Sequence, residues 1–421
     1  MMKNKSWDDE LASIAKRARA ASQTLGRAGA EARTKGLQTA ARKLLEQKDA
    51  ILSANAKDVS RAQGHLSTAM VDRLTLNPAR IEAMAKGLQA VAVQPDPIGK
   101  VLEEWTRPNG LKISRVSVPL GVIGMIYESR PNVTAEAASI TLRGGNAVIL
   151  RSGSDCFESA AAIAQVLRDA LRESGLPEDA IQFVPTTDRA AVGAMLKLGG
   201  LIDVIVPRGG RELIERVEAE SRIPLLRQYE GICHLYLHPA ADGKKAVALV
   251  RNAKLRRTSI CGALECLLID RAVVNTMGAA VIRDLLEAGC ELRGDEALWK
   301  LDPRVKLARP EDWGREFLDS ILAVRVIDGM DEALAHIRQY GSAHTDGIIT
   351  EDAAAAKRFT EELDSAIVMV NASTQFADGG EFGFGGEVGI ATGRMHARGP
   401  IGAAQLTSYK YIVTGNGQVR D

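Results

Sequence analysis

Apolar residues recur at three- and four-residue spacing through the first part of the chain. Residues 7–92 are rich in Ala, Leu, Arg, Lys and Glu, and that spacing predicts amphipathic helices. Asn77-Pro78 supplies a cap and a first-turn proline for a helix over 79–91. The block ends at Gln94-Pro95-Asp96-Pro97. The period then changes to two. Residues 101–106 and 111–118 alternate around Arg107-Pro108-Asn109-Gly110, and Asn-Gly between alternating runs predicts a hairpin. It reads either as a surface ornament or as a strand contact with a second subunit.

From Pro119 short continuous apolar runs alternate with helical stretches. Strands are expected at 121–126, 147–150, 181–184 and 202–206, and helices at 134–142, 158–174, 189–197 and from Arg211. A second series places strands at 235–237, 265–269 and 323–326, and helices at 243–253, 272–288 and 331–340. A helix at 352–363, a strand at 366–371, a glycine-rich loop and an alternating tail at 406–413 follow. The tail has the pattern of an edge strand that pairs with something else. Strands alternating with helices imply an α/β fold with doubly wound parallel sheets. Such sheets bind ligands outside the carboxyl ends of their strands.

Composition narrows the function classes. The chain has 421 residues, 46% hydrophobic and 25% charged, which suits two or three globular domains. Its net charge of +1 gives no electrostatic case for nucleic acid or an anionic membrane. An aromatic content of 4% argues against base-stacking platforms. Charges run through the first twenty residues, unlike a signal peptide, and no apolar run reaches the roughly 18 residues that span a bilayer. Five scattered cysteines, an odd number, show neither a disulfide framework nor metal-ligand spacing. No metal is expected, and a reducing cytoplasm fits.

Arg256-Arg257-Thr258-Ser259-Ile260-Cys261-Gly262 is the segment with the most chemistry. A thiol attacks as its thiolate, and fixed positive charge nearby favours that form. The run 264–269 reads as a buried strand, so Cys261 sits at an element boundary. It reads as a nucleophile or as a small core residue. Two βα turns could hold a dinucleotide. Residues 148–154 end a strand with Arg151 and Ser154, and a guanidinium fork there suits a ribose phosphate. Gly209 and Gly210 open a helix whose backbone N–H groups could face an anion. Both turns also read as ordinary punctuation. Asn132 reads as an oxyanion donor or as a helix cap. Residues 379–389 hold six glycines around Glu387, and His396-Ala397-Arg398 follows; this is a flexible loop or an active-site loop.

Together these segments resemble the aldehyde dehydrogenase superfamily, and within it the gamma-glutamyl phosphate reductase family. The motifs that carry the resemblance are Pro119-Leu120-Gly121-Val122-Ile123-Gly124, Tyr127-Glu128-Ser129-Arg130-Pro131-Asn132-Val133, Asn146-Ala147-Val148-Ile149-Leu150-Arg151, Gly231-Ile232-Cys233-His234, Asn252-Ala253-Lys254, Val370-Asn371-Ala372-Ser373-Thr374 and residues 382–402. The likeness runs from about residue 10 to the C-terminus. It implies an aldehyde dehydrogenase-like fold: an NADP-binding domain at 1–100 and 119–230, a catalytic domain at 231–403, and a protruding oligomerisation element at 101–118 and 404–421. It further implies NADPH-dependent reduction of L-glutamyl 5-phosphate to L-glutamate 5-semialdehyde through a cysteine thioester, in proline biosynthesis.

Residue by residue, Cys261 matches the superfamily's nucleophile and Asn132 its oxyanion asparagine. Arg151 matches the basic residue at the adenosine ribose, and Ser154 stands near where NAD-specific members often carry a glutamate, so NADP is expected over NAD. Glu387 matches the glutamate that reaches the nicotinamide ribose. Arg130, Arg256, Arg257 and Arg398 are the expected partners of the substrate's phosphate and carboxylate. Hydrolytic relatives carry a glutamate base upstream of the cysteine. Glu230 is the nearest candidate here, in different surroundings, and is left outside the expected site. The competing readings are a hydrolytic NAD(P)-dependent aldehyde dehydrogenase, a non-catalytic relative, and a cysteine hydrolase. The resemblance predicts a homodimer or higher oligomer. With no kinase region expected before residue 1, the acyl phosphate would come from a separate glutamate 5-kinase. Transient contact with that kinase is a hypothesis that fails if the two neither co-migrate nor channel.

Overall fold

The computed structural model describes residues 7–66, 68–227 and 230–420. The N-terminal block forms α1 (Trp7–Arg27), α2 (Ala30–Glu46), α3 (Lys48–Ala62), α4 (Thr68–Leu74) and α5 (Pro78–Ala92). The Asn77 side chain accepts the Arg80 N–H at 2.8 Å, the expected cap of α5. Leu11, Ile14 and Leu25 of α1 and Leu37 and Leu44 of α2 are buried, which is the apolar stripe read from the spacing. The hairpin follows as β1 (Val101–Thr106) and β2 (Lys112–Pro119), antiparallel, with Trp105 opposite Ile113.

The next strands are β3 (Val122–Tyr127), β4 (Ala147–Ser152), β5 (Ile181–Phe183) and β6 (Val204–Arg208). They alternate with α6 (Val133–Arg143), α7 (Phe157–Glu173), α8 (Ala190–Met195) and α9 (Arg211–Glu220). The sheet is parallel, in the order β5-β4-β3-β6. β3 and β4 are buried throughout, as continuous apolar runs require when both faces are covered. Gly121, expected in the strand, lies outside β3 at φ +127, a conformation that favours glycine, and a side chain there would meet Asp203 Oδ2 at 2.3 Å. The chain leaves β3 first towards β4 and later returns to its other side as β6. The carboxyl ends at that reversal are where a doubly wound sheet offers a ligand site.

The second series contains β7 (Cys233–Leu237), α10 (Gly243–Leu255), β8 (Leu264–Asp270), α11 (Ala279–Glu287), β9 (Glu291–Gly294), α12 (Glu296–Leu301), β10 (Lys306–Leu307) and β11 (Ile321–Ile327). Then come α13 (Gly329–Tyr340), β12 (Thr345–Ile349), α14 (Ala353–Glu362), β13 (Ile367–Val370), β14 (Ile390–Ala391) and β15 (Gly399–Pro400). Seven strands form one parallel sheet, β10-β9-β11-β8-β7-β12-β13. The expected single helix over 272–288 is instead a tight turn at 271–273, a wide turn at 274–278 and then α11. Strands β9, β10 and β12 have no counterpart in the apolar pattern. In β12 the reason is specific. Asp346 occupies an interior position because it accepts the His234 N–H at 3.0 Å, and Gly347 is there because a Cβ would meet Leu235 at 2.9 Å.

The last strand, β16 (Thr407–Thr414), pairs antiparallel with β2, Thr407 opposite Pro119 and Thr414 opposite Lys112. The tail's partner is thus the hairpin of its own chain, in the order β1-β2-β16. Tyr409, Tyr411, Ile412 and Val413 remain exposed.

By internal contacts the chain divides into two units. One holds the chain up to Arg227, Gly383–Gly389 and everything from Ile401; the other holds the stretch after Arg227 as far as Phe382, and Ile390–Pro400. Residues 383–389 and 401–403, expected with the catalytic stretch, therefore group with the first unit. The Val388 N–H donates to Ile401 and the Ile401 N–H to Gly389, and Gly385 approaches the Ala90 carbonyl of α5. The hairpin and tail also group with the first unit. Among the described residues, no helix is long and apolar enough to cross a membrane.

Candidate active site

In the first unit the carboxyl ends of β3, β4 and β6 bring several of the expected residues to one edge of the sheet. Arg151 ends β4 and is 5% exposed. Its Nη2 donates to the carbonyls of Thr187 at 3.0 Å and Asp188 at 3.4 Å, while its Nε is buried without a partner. Burial lowers the Arg151 pKa, with Glu128 acting in the opposite sense. Ser154 is exposed just beyond. Gly209 and Gly210 lead into α9. Glu128, at the end of β3, accepts a hydrogen bond from the Gly210 N–H, and burial raises its carboxyl pKa. A Cβ on Gly209 would stand 2.6 Å from Glu128 Oε2. The N–H group read as an anion donor is thus engaged by a neighbouring carboxyl.

Asn132 occupies the N-cap position of α6, is exposed, and makes no side-chain cap bond. The helix start is held instead by the carbonyls of Arg130, Pro131 and Asn132 and by Tyr127, whose hydroxyl lies 2.7 Å from Thr134 Oγ1. Ser129 adopts φ +52 and bonds Asp155. Arg130 is partly exposed, and its backbone N–H donates to the buried Cys156 thiol. Glu387 lies on the first-unit segment 383–389, partly exposed. Its glycines have local reasons: Gly385, at φ +78, sits against Ala90, and Gly389, at φ +156, against Arg208.

In the second unit Cys261 lies in the loop between α10 and β8, partly exposed. It packs against an apolar cluster of Ile367, Met369, Ala377 and Ile390. Its backbone is fixed closely. The buried Cys233 thiol donates to the Cys261 carbonyl at 3.1 Å, and burial pushes that thiol's pKa well up, keeping it a donor. Gly231 stacks directly on the same peptide; a Cβ there would fall 2.1 Å from the Cys261 oxygen. Gly262 needs its missing side chain too, with the Thr374 carbonyl 2.9 Å from where a Cβ would stand. Gln375 spans the loop: its Nε2 donates to the carbonyls of Ala253 at 2.8 Å and Arg257 at 3.1 Å. Its Oε1 accepts from Arg256 at 3.2 Å. Arg256 and Arg257 are both exposed. A thiol held this way has a fixed backbone and a partly exposed side chain, and Arg256 and Arg257 stand in the same loop.

Arg398 lies elsewhere in this unit. Its guanidinium pairs with Asp364 at 2.6 Å and holds that carboxylate below its usual pKa range. With Arg394 it lines a cleft of about 450 Å³ that also includes Arg338, Glu362 and Ser365. Arg398 therefore already has an anionic partner. Glu230 is partly exposed next to Gly231.

Sequence reasoning passed over several neighbours of Cys261. Glu316 accepts the Gly231 N–H at 3.0 Å, which puts a carboxylate beside the residue stacked on the Cys261 peptide. Lys254 and Glu265, both with fully buried side chains, form an ion pair at 2.7 Å. Burial raises the Glu265 carboxyl to about 7 even with the ammonium adjacent. Gln375 and Glu316 are far from Cys261 in sequence and carry no local signal. Lys254 stood in a motif with no role attached. The unit also buries His234, Cys266 and His336 with their ligand atoms within 4.8 Å. His336 Nδ1 faces Arg325 Nη1 at 3.0 Å, and arginine only donates, so the proton is assigned to Nε2, 3.5 Å from Cys266 Sγ. The His336 Nδ1 lone pair is thus taken by Arg325, while His234 holds Asp346 through Nδ1 and keeps its Nε2 buried without a hydrogen-bond partner.

Comparison with known proteins places these features. A sequence model of the aldehyde dehydrogenase family matches residues 4–292. A gamma-glutamyl phosphate reductase of Rhodospirillum rubrum is 58% identical over 409 residues, covering 97% of this chain and 96% of the relative. The protein of that name from Paramagnetospirillum magneticum is 55% identical over 421 residues, covering all of both chains. A crystal structure of gamma-glutamyl phosphate reductase from Thermotoga maritima has a TM-score of 0.95 at 42% identity, covering 98% of this chain and 100% of its own.

Proposed function

We propose a function from one premise: the chain belongs to the aldehyde dehydrogenase family, and within it to the gamma-glutamyl phosphate reductases. It reduces L-glutamyl 5-phosphate to L-glutamate 5-semialdehyde and releases phosphate, the second step of proline biosynthesis from glutamate. The observation that carries this reading is the full-length likeness to reductases of that name, with Cys261 partly exposed on a backbone-pinned loop.

In this reading the Cys261 thiolate attacks the acyl carbonyl. The carbon–oxygen bond to phosphate breaks, phosphate leaves with the electron pair, and a thioester remains on Cys261. Asn132 and the Cys261 backbone N–H stabilise the oxyanion of each tetrahedral state. A bound nicotinamide cofactor, proposed as NADPH, would supply the hydride, and the adduct on Cys261 would then be a thiohemiacetal oxyanion held by Asn132 and the Cys261 N–H. Collapse of that adduct releases the semialdehyde and returns the thiolate. Arg256, Arg257, Arg130 and Arg398 remain the anion partners in the proposal, Arg398 after exchanging Asp364 for substrate. Keeping water out matters, because hydrolysis would waste the thioester. The test runs backwards, from semialdehyde, NADP and phosphate, by NADPH absorbance. Phosphate-dependent NADPH formation is expected; formation without phosphate would mean a hydrolytic dehydrogenase and return Glu230 as its candidate base.

The preference for NADP is proposed from Arg151 and Ser154. The buried, unpartnered Arg151 Nε and the neutral, exposed Ser154 suit a ribose phosphate; Glu387 and, once Glu128 gives up the Gly210 N–H, the Gly209-Gly210 turn are the other proposed cofactor contacts. Arg151→Ala should raise the KM for NADPH about tenfold or more, as loss of charge-assisted bonds implies, and leave that for NADH nearly unchanged. Equal changes for both would remove Arg151 from the phosphate site. A homo-oligomer through β16 is part of the same reading. Among the described residues nothing pairs with the outer edge of that strand, and most of its side chains are exposed. Ile412→Pro, which cannot join a ladder, should shift the mass in light scattering towards the monomer; an unchanged mass would place the interface elsewhere. A cytoplasmic location fits five free cysteines; fractionation that finds the protein elsewhere would overturn it.

A further inference from the structure

The loop that carries Cys261 has a buried ion pair at its base. It runs from Leu255, the last residue of α10, to Leu264, the first of β8. Lys254 immediately precedes it and Glu265 lies just inside β8. Their side chains are both 0% exposed and meet at 2.7 Å, Nζ to Oε2. Such a pair is seldom retained for stability, since well-packed apolar residues of similar volume do as well or better. Here it joins the two ends of the loop.

The pair also connects to the peptide of Cys261 by a second route. Glu265 Oε1, the other oxygen, accepts the Leu318 N–H at 3.2 Å. Lys254 Nζ lies 6.0 Å from the centre of the Phe317 ring. The residue before Phe317 is Glu316, which holds the Gly231 N–H at 3.0 Å. Gly231 in turn stacks on Cys261, where a Cβ would fall 2.1 Å from its carbonyl oxygen. Segment 316–318 thus ties the base of the loop to the residue that roofs its tip.

We propose that Lys254 and Glu265 are positioning residues for the nucleophile. They close the base of the 255–264 loop and, through segment 316–318 and Gly231, set how the Cys261 thiol and its backbone N–H face an acyl carbonyl. This rests on the reading of Cys261 as the nucleophile.

The test is the double variant Lys254→Met/Glu265→Leu, which keeps volume and removes both charges together. Three quantities are measured: melting temperature, the rate of Cys261 alkylation by iodoacetamide, and kcat and KM in the phosphate-dependent assay. A folded double variant with kcat lowered about tenfold to a hundredfold, as small misplacements of reacting groups cause, is expected. KM should stay within twofold and the alkylation rate should change at least threefold. A folded variant with kcat and alkylation both within twofold of wild type would overturn the proposal. If the double variant does not fold, Glu265→Gln decides, since it keeps the shape and the acceptor for Leu318: lowered kcat with an intact fold supports the clamp, and unchanged kcat overturns it. Absence of preferential Cys261 labelling in the wild type would be a failure of the parent reading, and the clamp would fall with it.

Discussion

Cys261→Ala is expected to abolish phosphate-dependent NADPH formation, a fall of about 10⁴-fold or more, the scale on which loss of a covalent nucleophile acts. The expectation follows from the division of labour. In the proposed mechanism Cys261 forms and breaks the bonds to substrate carbon, and the other cysteines are poorly placed to replace it. Cys156, Cys233, Cys266 and Cys290 are buried. Cys233 holds the Cys261 carbonyl as a donor, with its thiol kept protonated by burial. The same substitution should barely change the melting temperature, because Cys261 is partly exposed and its carbonyl bond to Cys233 survives. Turnover within tenfold of wild type, measured on protein freed of wild-type contamination, would end the thioester mechanism.

Asn132→Ala should lower kcat about 10²- to 10³-fold, as removal of one oxyanion donor does. Two roles compete for this residue, and the structure makes them separable. An asparagine that capped α6 would cost about 1 kcal/mol of stability when replaced. Asn132 makes no cap bond, and its side chain is exposed. Replacement should therefore leave the melting temperature nearly unchanged while the rate falls. A lower melting temperature with kcat retained would return Asn132 to the role of a cap and take it out of the chemistry.

What could be read from the residues alone follows a physical line. Strands β3 and β4 showed themselves because both faces are covered and their positions are apolar except for Arg151 and Ser152 at the end of β4. Helix α5 showed itself through Asn77-Pro78. β12 did not, because its interior positions hold Asp346 and Gly347, whose reasons are His234 and Leu235, far away in sequence. The site divides in the same way. Cys261 and its arginines are contiguous and could be picked out locally. Gln375, Glu316 and Gly231 act on that loop only across the fold, and no periodicity announces them. Arg398 looked like an open cation in the sequence; Asp364, its partner, belongs to the turn before β13. Gly209 and Gly210 looked like an open anion cradle, and Glu128 stands there instead.

The pairing of β16 with β2 bears on how the chain is made. A ribosome releases the hairpin early and β16 near the end, so β2 waits with one edge bare while the whole second unit is synthesised. Most of that second unit is one continuous stretch, and it can close in a single pass. The first unit needs material from both sides of it. Domains tend to mature as units during synthesis, and by that logic the part begun first is finished last. Until residues 407–414 arrive, β2 is the strand that stands open to any other chain in the same state; afterwards the open edge is that of β16, which the proposed oligomer covers.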